Sequence, residues 1–212
     1  MIPLLLIATA ALPIQNPSRD PAWDLAIRVL KTTPLIDGHN DLAYRIREDK
    51  AGMAMDVEAY DLRKRTPGQT DLARLAKGMV GGQFWAVHVP GEAKDSGYAR
   101  YQLEQIDLAT RVIEKYPDRL QACPTALCMR EAFAAGRIGS LLGVEGGQAI
   151  ENSLGVLRTY YLLGVRYMTL THNVTLDWAD AALDRAAHGG LTKFGQEVVR
   201  EMNRLGGTCQ GV

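Results

Sequence analysis

The stretch Ile138–Asn173, "IGSLLGVEGGQAIENSLGVLRTYYLLGVRYMTLTHN", decides the fold. It opens on a short apolar run that stops at Glu145-Gly146-Gly147. A segment with helical character follows from Ser153 to Gly164, and a second strand-like run closes the stretch at His172-Asn173. An apolar run this short reads as a buried strand, and two such runs joined by a helix are the unit of a parallel sheet.

The same alternation extends outward on both sides. Upstream, "PAWDLAIRVLKT" sets Trp23, Ala26, Ile27 and Leu30 at helical spacing, Pro34 ends the pattern, and "LID" begins a short strand. "DLARLAKG" reads as a helix closed by Gly78 and feeds "GQFWAVHV", rich in aromatic and β-branched residues, which stops at Pro90-Gly91. The amphipathic segment "YARYQLEQIDLATRVIEKY" predicts a long helix, and Thr125 caps a second one in "TALCMREAFAAG". Downstream, Thr192 opens "TKFGQEVVREMNRLG", with Gly206 at its C-cap position. These make about four strand-plus-helix units, whereas a complete eightfold barrel takes roughly 250 residues. The expectation is an α/β chain forming a partial (β/α)8 TIM-like barrel, about its N-terminal half.

Composition narrows the class. A chain of 212 residues, 47% hydrophobic and with three cysteines, can bury one core without disulfide support. Its 24 basic and 24 acidic side chains cancel, and no Lys/Arg cluster with interleaved aromatics points to nucleic acid, which leaves a small molecule as the expected partner. The leader "MIPLLLIATAALPIQNPSRDP" carries an apolar run and Ala8-Thr9-Ala10, the pattern a signal peptidase cuts after, although no Lys or Arg precedes the run. Residues 1–22 are therefore set apart as a signal peptide and leader, and 23–212 as the body. Export to the periplasm or the medium is expected, with the cytoplasm as the alternative. The run is shorter than the roughly 20 residues that span a bilayer, so no transmembrane segment is expected. Cys123 and Cys128 flank the start of a helix; an exported protein can oxidise the pair, and two free thiols are the equal alternative.

Chemistry gathers at the ends of the strands. In an extended strand His39 and Asp41, at i and i+2, share a face while Asn40 points away, and an imidazole with a carboxylate suits zinc or a similar divalent ion. Alone, His-x-Asp is an ordinary strand-end tripeptide, and its companions make it informative. Glu145 ends the run "SLLGV" ahead of two glycines, and His172 ends "YMTLTHN" in the same manner. Barrel enzymes collect catalytic side chains at one rim in this way. Asp180 and Asn173 are placed on the same rim loop. His88, within a strand, and His188, in a Gly-flanked loop, read as structural or exposed.

Taken together, "IDGHNDLA", "VGGQFWAVHVP", "GVEGG", "SLGVLRTYYLLGVRYMTLTHN", "WAD" and "GLTKFGQEVVREMNRLG" resemble the membrane dipeptidase (renal dipeptidase) family of zinc peptidases, in order from Leu35 to Gly206. The resemblance implies a metal-dependent hydrolase barrel that binds two zinc ions through a bridging carboxylate, forms homodimers, and cleaves dipeptides with a metal-activated water. Carried over by residue, His39 and Asp41 match ligands of the first metal. Glu145 matches the bridging, catalytic carboxylate, and His172 the catalytic histidine that contacts substrate and stabilises the oxyanion. The pattern departs after "NRLG": the family continues into an Asp-Leu-Ser-His-like strand, and this chain reads Gly206-Gly207-Thr208-Cys209-Gln210-Gly211-Val212. The reading is a dipeptidase chain truncated partway, with its second zinc site incomplete. Its alternative is a non-catalytic fragment that holds one metal weakly or pairs with another chain.

Overall fold

The computed structural model describes residues 20–49 and 55–210. The leader's Ala8-Thr9-Ala10 lies outside the described residues. In chain order the elements are α1 (Pro21–Thr32), β1 (Leu35–Asn40), α2 (Leu42–Glu48), α3 (Leu72–Lys77), β2 (Val80–His88), α4 (Tyr98–Lys115) and β3 (Leu120–Ala122). They continue as α5 (Ala126–Ala134), β4 (Ile138–Glu145), α6 (Leu154–Leu162), β5 (Val165–Thr169), α7 (Lys193–Leu205) and β6 (Thr208–Gln210). Short 3-10 turns follow β2 and β4, at Gly91–Ser96 and Gly147–Ile150.

The strands form one parallel sheet in the order β1-β2-β4-β5-β6. Strand β3 lies off that path: it pairs Ile138–Ser140 of β4, while β5 pairs the later part of the same strand from Leu142. This is the partial TIM-barrel-like α/β architecture expected from the alternation. Two short elements escaped the sequence reading, α2 and β3, and β6 supplies the fifth strand that the helix before it leads into.

Local chemistry sets the helix boundaries. The side chains of Asp20, Asp71, Thr125, Ser153 and Thr192 each accept a backbone N–H in the first turn of α1, α3, α5, α6 and α7. Pro21 takes the first position of α1, where a missing N–H costs nothing. Gly206 stops α7 with φ 77°, in the left-handed region. Alternation along β2 sends Trp85 and Val87 into the main core with Leu108 and Val112 of α4, and Phe84 to the opposite face, against Cys123, Met129, Ala132 and Leu141. Each large apolar side chain so buried contributes about 1.5–3 kcal/mol. Cys123 and Cys128 are joined in a disulfide with their Cα atoms 5.2 Å apart, which settles the choice left open by the sequence.

One glycine bears on the site directly. A Cβ at Gly143 of β4 would sit 2.0 Å from Cζ of Tyr167, so the bare backbone lets the Tyr167 ring cross from β5. That ring reaches Phe84 of β2, with centroids 5.3 Å apart, and its hydroxyl reaches His39 of β1.

Candidate metal centre

Strand pairing assembles the centre. In the register of β2 and β4, His88 lies directly opposite Glu145, each the last residue of its strand. Behind Glu145, the N–H of Gly146 donates to Thr169 Oγ1 at 2.7 Å, which ties the end of β4 to the end of β5. His172 follows in the loop three residues beyond β5 and returns its ring to the same place. His39 comes from β1, on the far side of β2.

Three of the chain's four histidines meet at one carboxylate. Glu145 Oε1 lies 3.5 Å from Nε2 of His39 and 3.5 Å from Nε2 of His172, and Oε2 lies 3.2 Å from Nδ1 of His88. Asp41 Oδ1 adds a contact of 3.1 Å to His39 Nε2. The donor atoms form two overlapping groups that share Glu145, one with His39 and Asp41 and one with His88 and His172, each within 4.8 Å.

The convergence of His39 and Asp41 has a different cause from strand alternation. Strand β1 ends at Asn40, and Asp41 stands at the N-cap position of α2 with φ −82° and ψ 26°, so a turn brings its carboxylate back to the ring. Asn40 points away as expected, where Thr70 Oγ1 donates to its amide oxygen at 3.1 Å.

Burial alone would raise the Glu145 carboxyl, whose side chain is 15% exposed, but the imidazoles of His39 and His88 outweigh it and hold the group well below the usual carboxylate range. His39 responds in the opposite sense. Its hydrogen bonds to Asp41 and then Glu145 push its pKa up to about 10, so the ring is doubly protonated at neutral pH and its Nδ1–H donates to the Tyr167 hydroxyl at 3.1 Å. The Tyr167 hydroxyl is raised by burial and by the acids around it, and stays protonated.

A divalent cation fits this donor set. Imidazole nitrogens and carboxylate oxygens are the ligands of zinc and its first-row neighbours. His88 Nδ1 supplies the structural test: it is buried, and the polar atom beside it is Glu145 Oε2 at 3.2 Å, a nitrogen and an oxygen donor facing each other away from solvent. The proton on His39 likewise stands between two carboxylates, where a metal's charge would serve.

The site residues taken from the sequence, His39, Asp41, Glu145 and His172, are thus brought together. Others are not. Asp180 organises its own loop, accepting the backbone N–H groups of Ala187, His188 and Gly190, and His188 Nε2 faces the Leu176 carbonyl at 2.9 Å. His88, read from the sequence as structural or exposed, is also brought beside Glu145. It closes its strand instead of lying within it, and a histidine just ahead of the strand-ending Pro90-Gly91 was the available signal. Beside the centre opens a cleft of about 720 Å³, bordered by His39, Asp41, Arg45, Tyr60 and Arg74.

Solved structures share this architecture. The dipeptidase AC, a metallopeptidase of family M19, is 24% identical with a TM-score of 0.72, the match covering 84% of this chain and 56% of that one. A metallopeptidase from Rhodobacter sphaeroides, liganded with a phosphinate mimic of the dipeptide L-Ala-D-Ala, is 23% identical with a TM-score of 0.71, over 84% of this chain and 58% of that one. The probable dipeptidase PvdM from Pseudomonas aeruginosa is 18% identical with a TM-score of 0.72, over 89% and 48%. The chain thus spans about half the length of these structures. At such identities the likeness speaks for the fold alone, and the family rests on the sequence model described as membrane dipeptidase (Peptidase family M19), which matches residues 24–207: the chain belongs to that family.

Proposed function

We propose that the chain holds zinc at His39, Asp41 and Glu145 and hydrolyses the peptide bond of dipeptides. The observation that carries this reading is the ionised Glu145 carboxylate at the strand ends, facing three imidazoles in a chain of a peptidase family. When bound, the metal acidifies water and polarises the scissile carbonyl. The chain's own groups do the rest. Glu145 orients the attacking water by accepting a hydrogen bond from it, its carboxyl being held ionised beside the imidazoles. His172, with Nε2 beside Glu145 and a side chain 32% exposed, donates to the carbonyl oxygen as negative charge gathers there. Tyr167 holds the His39 ring in place through Nδ1.

The dipeptide mimic bound by the Rhodobacter sphaeroides metallopeptidase makes L-Ala-D-Ala the first substrate to try. The test compares the purified 212-residue chain with Glu145→Gln, measuring zinc by mass spectrometry and released alanine by chromatography. Wild type is expected to carry zinc and to release alanine on the order of 100-fold faster than the variant. Equal rates in the two proteins reject the reading.

A second reading is a non-catalytic fragment that pairs with another chain. It is favoured by apolar surface at the edge of the sheet, where Leu35 and Ile36 of β1 are 41% and 44% exposed. Equal rates together with a stable complex between this chain and a second polypeptide would support it. We also place the protein outside the cytoplasm; the Cys123–Cys128 disulfide supports this, because such bonds persist in oxidising compartments.

A further inference from the structure

We infer that His88 is a positioning residue for His172: its ring, fixed at the end of β2, sets the direction in which the His172 imidazole meets a bound substrate. The inference rests on the substrate contact proposed for His172 and adds the residue on which that contact depends.

His172 needs a brace. It stands in the loop beyond β5, outside any strand ladder, and its side chain is 32% exposed. Where its ring points is set by what the ring touches. Nε2 lies 3.5 Å from Glu145 Oε1, and the ring meets that of His88 edge to face, with centroids 4.7 Å apart and planes at 67°. Aromatic rings favour this arrangement over a flat stack, because the electropositive edge of one lies against the electron-rich face of the other.

His88 serves as the brace because its own place is fixed. The ladder of β2 with β4 holds it opposite Glu145. The backbone around it is bonded on both sides of the peptide. Val89 N–H donates to the Glu145 carbonyl at 3.3 Å, the His88 carbonyl accepts from Nε2 of Gln105 in α4 at 3.3 Å, and the Val89 carbonyl accepts from Nε2 of Gln148 at 2.6 Å. Both glutamines are buried. The His88 ring has as little room: Nδ1 rests 3.2 Å from Glu145 Oε2, and Tyr44 of α2 packs against the ring at 80° with centroids 5.0 Å apart. Tyr44, His88 and His172 form a row of three rings that carries the rigidity of α2 and β2 out to the loop. A donor that stabilises an oxyanion has to point at it before the charge forms, and the row gives His172 that orientation. On this account His88 needs its ring and not its nitrogens.

The test uses the zinc-loaded 212-residue chain, with the phosphinate mimic of L-Ala-D-Ala as the probe. Calorimetry reads the affinity for the mimic, mass spectrometry the zinc content, and imidazole nuclear magnetic resonance signals the state of the His172 ring. His172→Ala is expected to weaken the mimic roughly 100-fold, as loss of an oxyanion donor does, and His88→Ala about tenfold with zinc content unchanged. His88→Phe, which keeps an aromatic ring and has no nitrogen to offer, should bind within about threefold of wild type. The His172 signals should be sharp in wild type and His88→Phe and broadened in His88→Ala. Melting shows whether each variant is folded, and His88→Leu replaces the alanine variant if the lost volume destabilises the strand end. Wild-type affinity and unbroadened His172 signals in a folded variant without the ring overturn the inference and leave the proposed function standing. Loss of the mimic or of zinc in folded His88→Phe assigns the role to the nitrogens and overturns it as well. No binding of the mimic by wild type overturns the proposed function and this inference together.

Discussion

Tyr167 decides how His39 faces the centre. Its hydroxyl takes the Nδ1 side of the ring, which leaves Nε2 for Asp41 and Glu145, and the open backbone at Gly143 gives the tyrosine its path. Tyr167→Phe keeps the packing and removes only the hydroxyl. Groups that orient a liganding histidine in this way matter about 10–100-fold in metal affinity. We therefore expect Tyr167→Phe to melt like wild type and to bind zinc at least tenfold more weakly in competition with a chelator; unchanged affinity would show that the ring is held by packing alone. At this scale four of the five polar side chains of the centre were legible in the sequence, because each stands where an apolar run gives out. His88 was not, since its run continues for one residue into Val89, and only its pairing with Glu145 shows that the strand ends at the histidine.

Element by element, the fold follows from short-range signals where the segments are long enough to carry them. The helix α4 was readable from its periodicity, and α5 and α7 from the threonines that cap them. By contrast, α2 offers only seven residues directly behind a strand, and β3 only three, too few for a period to be read. Neighbouring helices α6 and α7 are joined by Arg158 and Glu201, and Arg204 completes the cluster from within α7. Arg204, then Arg158, draw the Glu201 carboxyl from an ordinary value of 4.5 down to about 2. A carboxyl lowered on folding adds stability above its unfolded value, and that contribution drains away as pH falls from about 4.5 to about 2. Glu201→Gln should therefore flatten the fall in melting temperature across that window while leaving the profile above it parallel to wild type. An identical acid limb in both proteins would show that the cluster is screened to nothing.

At the scale of the molecule, the main path of the described sheet runs from β1 to β6, and β1 carries exposed apolar side chains at its outer edge. The 212-residue chain should associate through that edge at micromolar concentration, and Leu35→Lys should shift sedimentation velocity profiles toward the monomer. Failure of the charge to change the profile would move the contact elsewhere, with α1 the next candidate, since Trp23, Leu25 and Val29 are exposed along it. The contact between His39 and Tyr167 has a last consequence, in the thermodynamics of the whole chain. These residues are 128 positions apart, so the centre exists only when the intervening strands are assembled. An ion seated there acts as a removable cross-link around most of the sheet, and its binding energy is added to the folding energy. At a hundredfold excess over its Kd it contributes about 2.7 kcal/mol, which in a chain this size raises Tm by about 5–10 °C. A melting curve taken with and without zinc therefore reports on the centre before any substrate has been found.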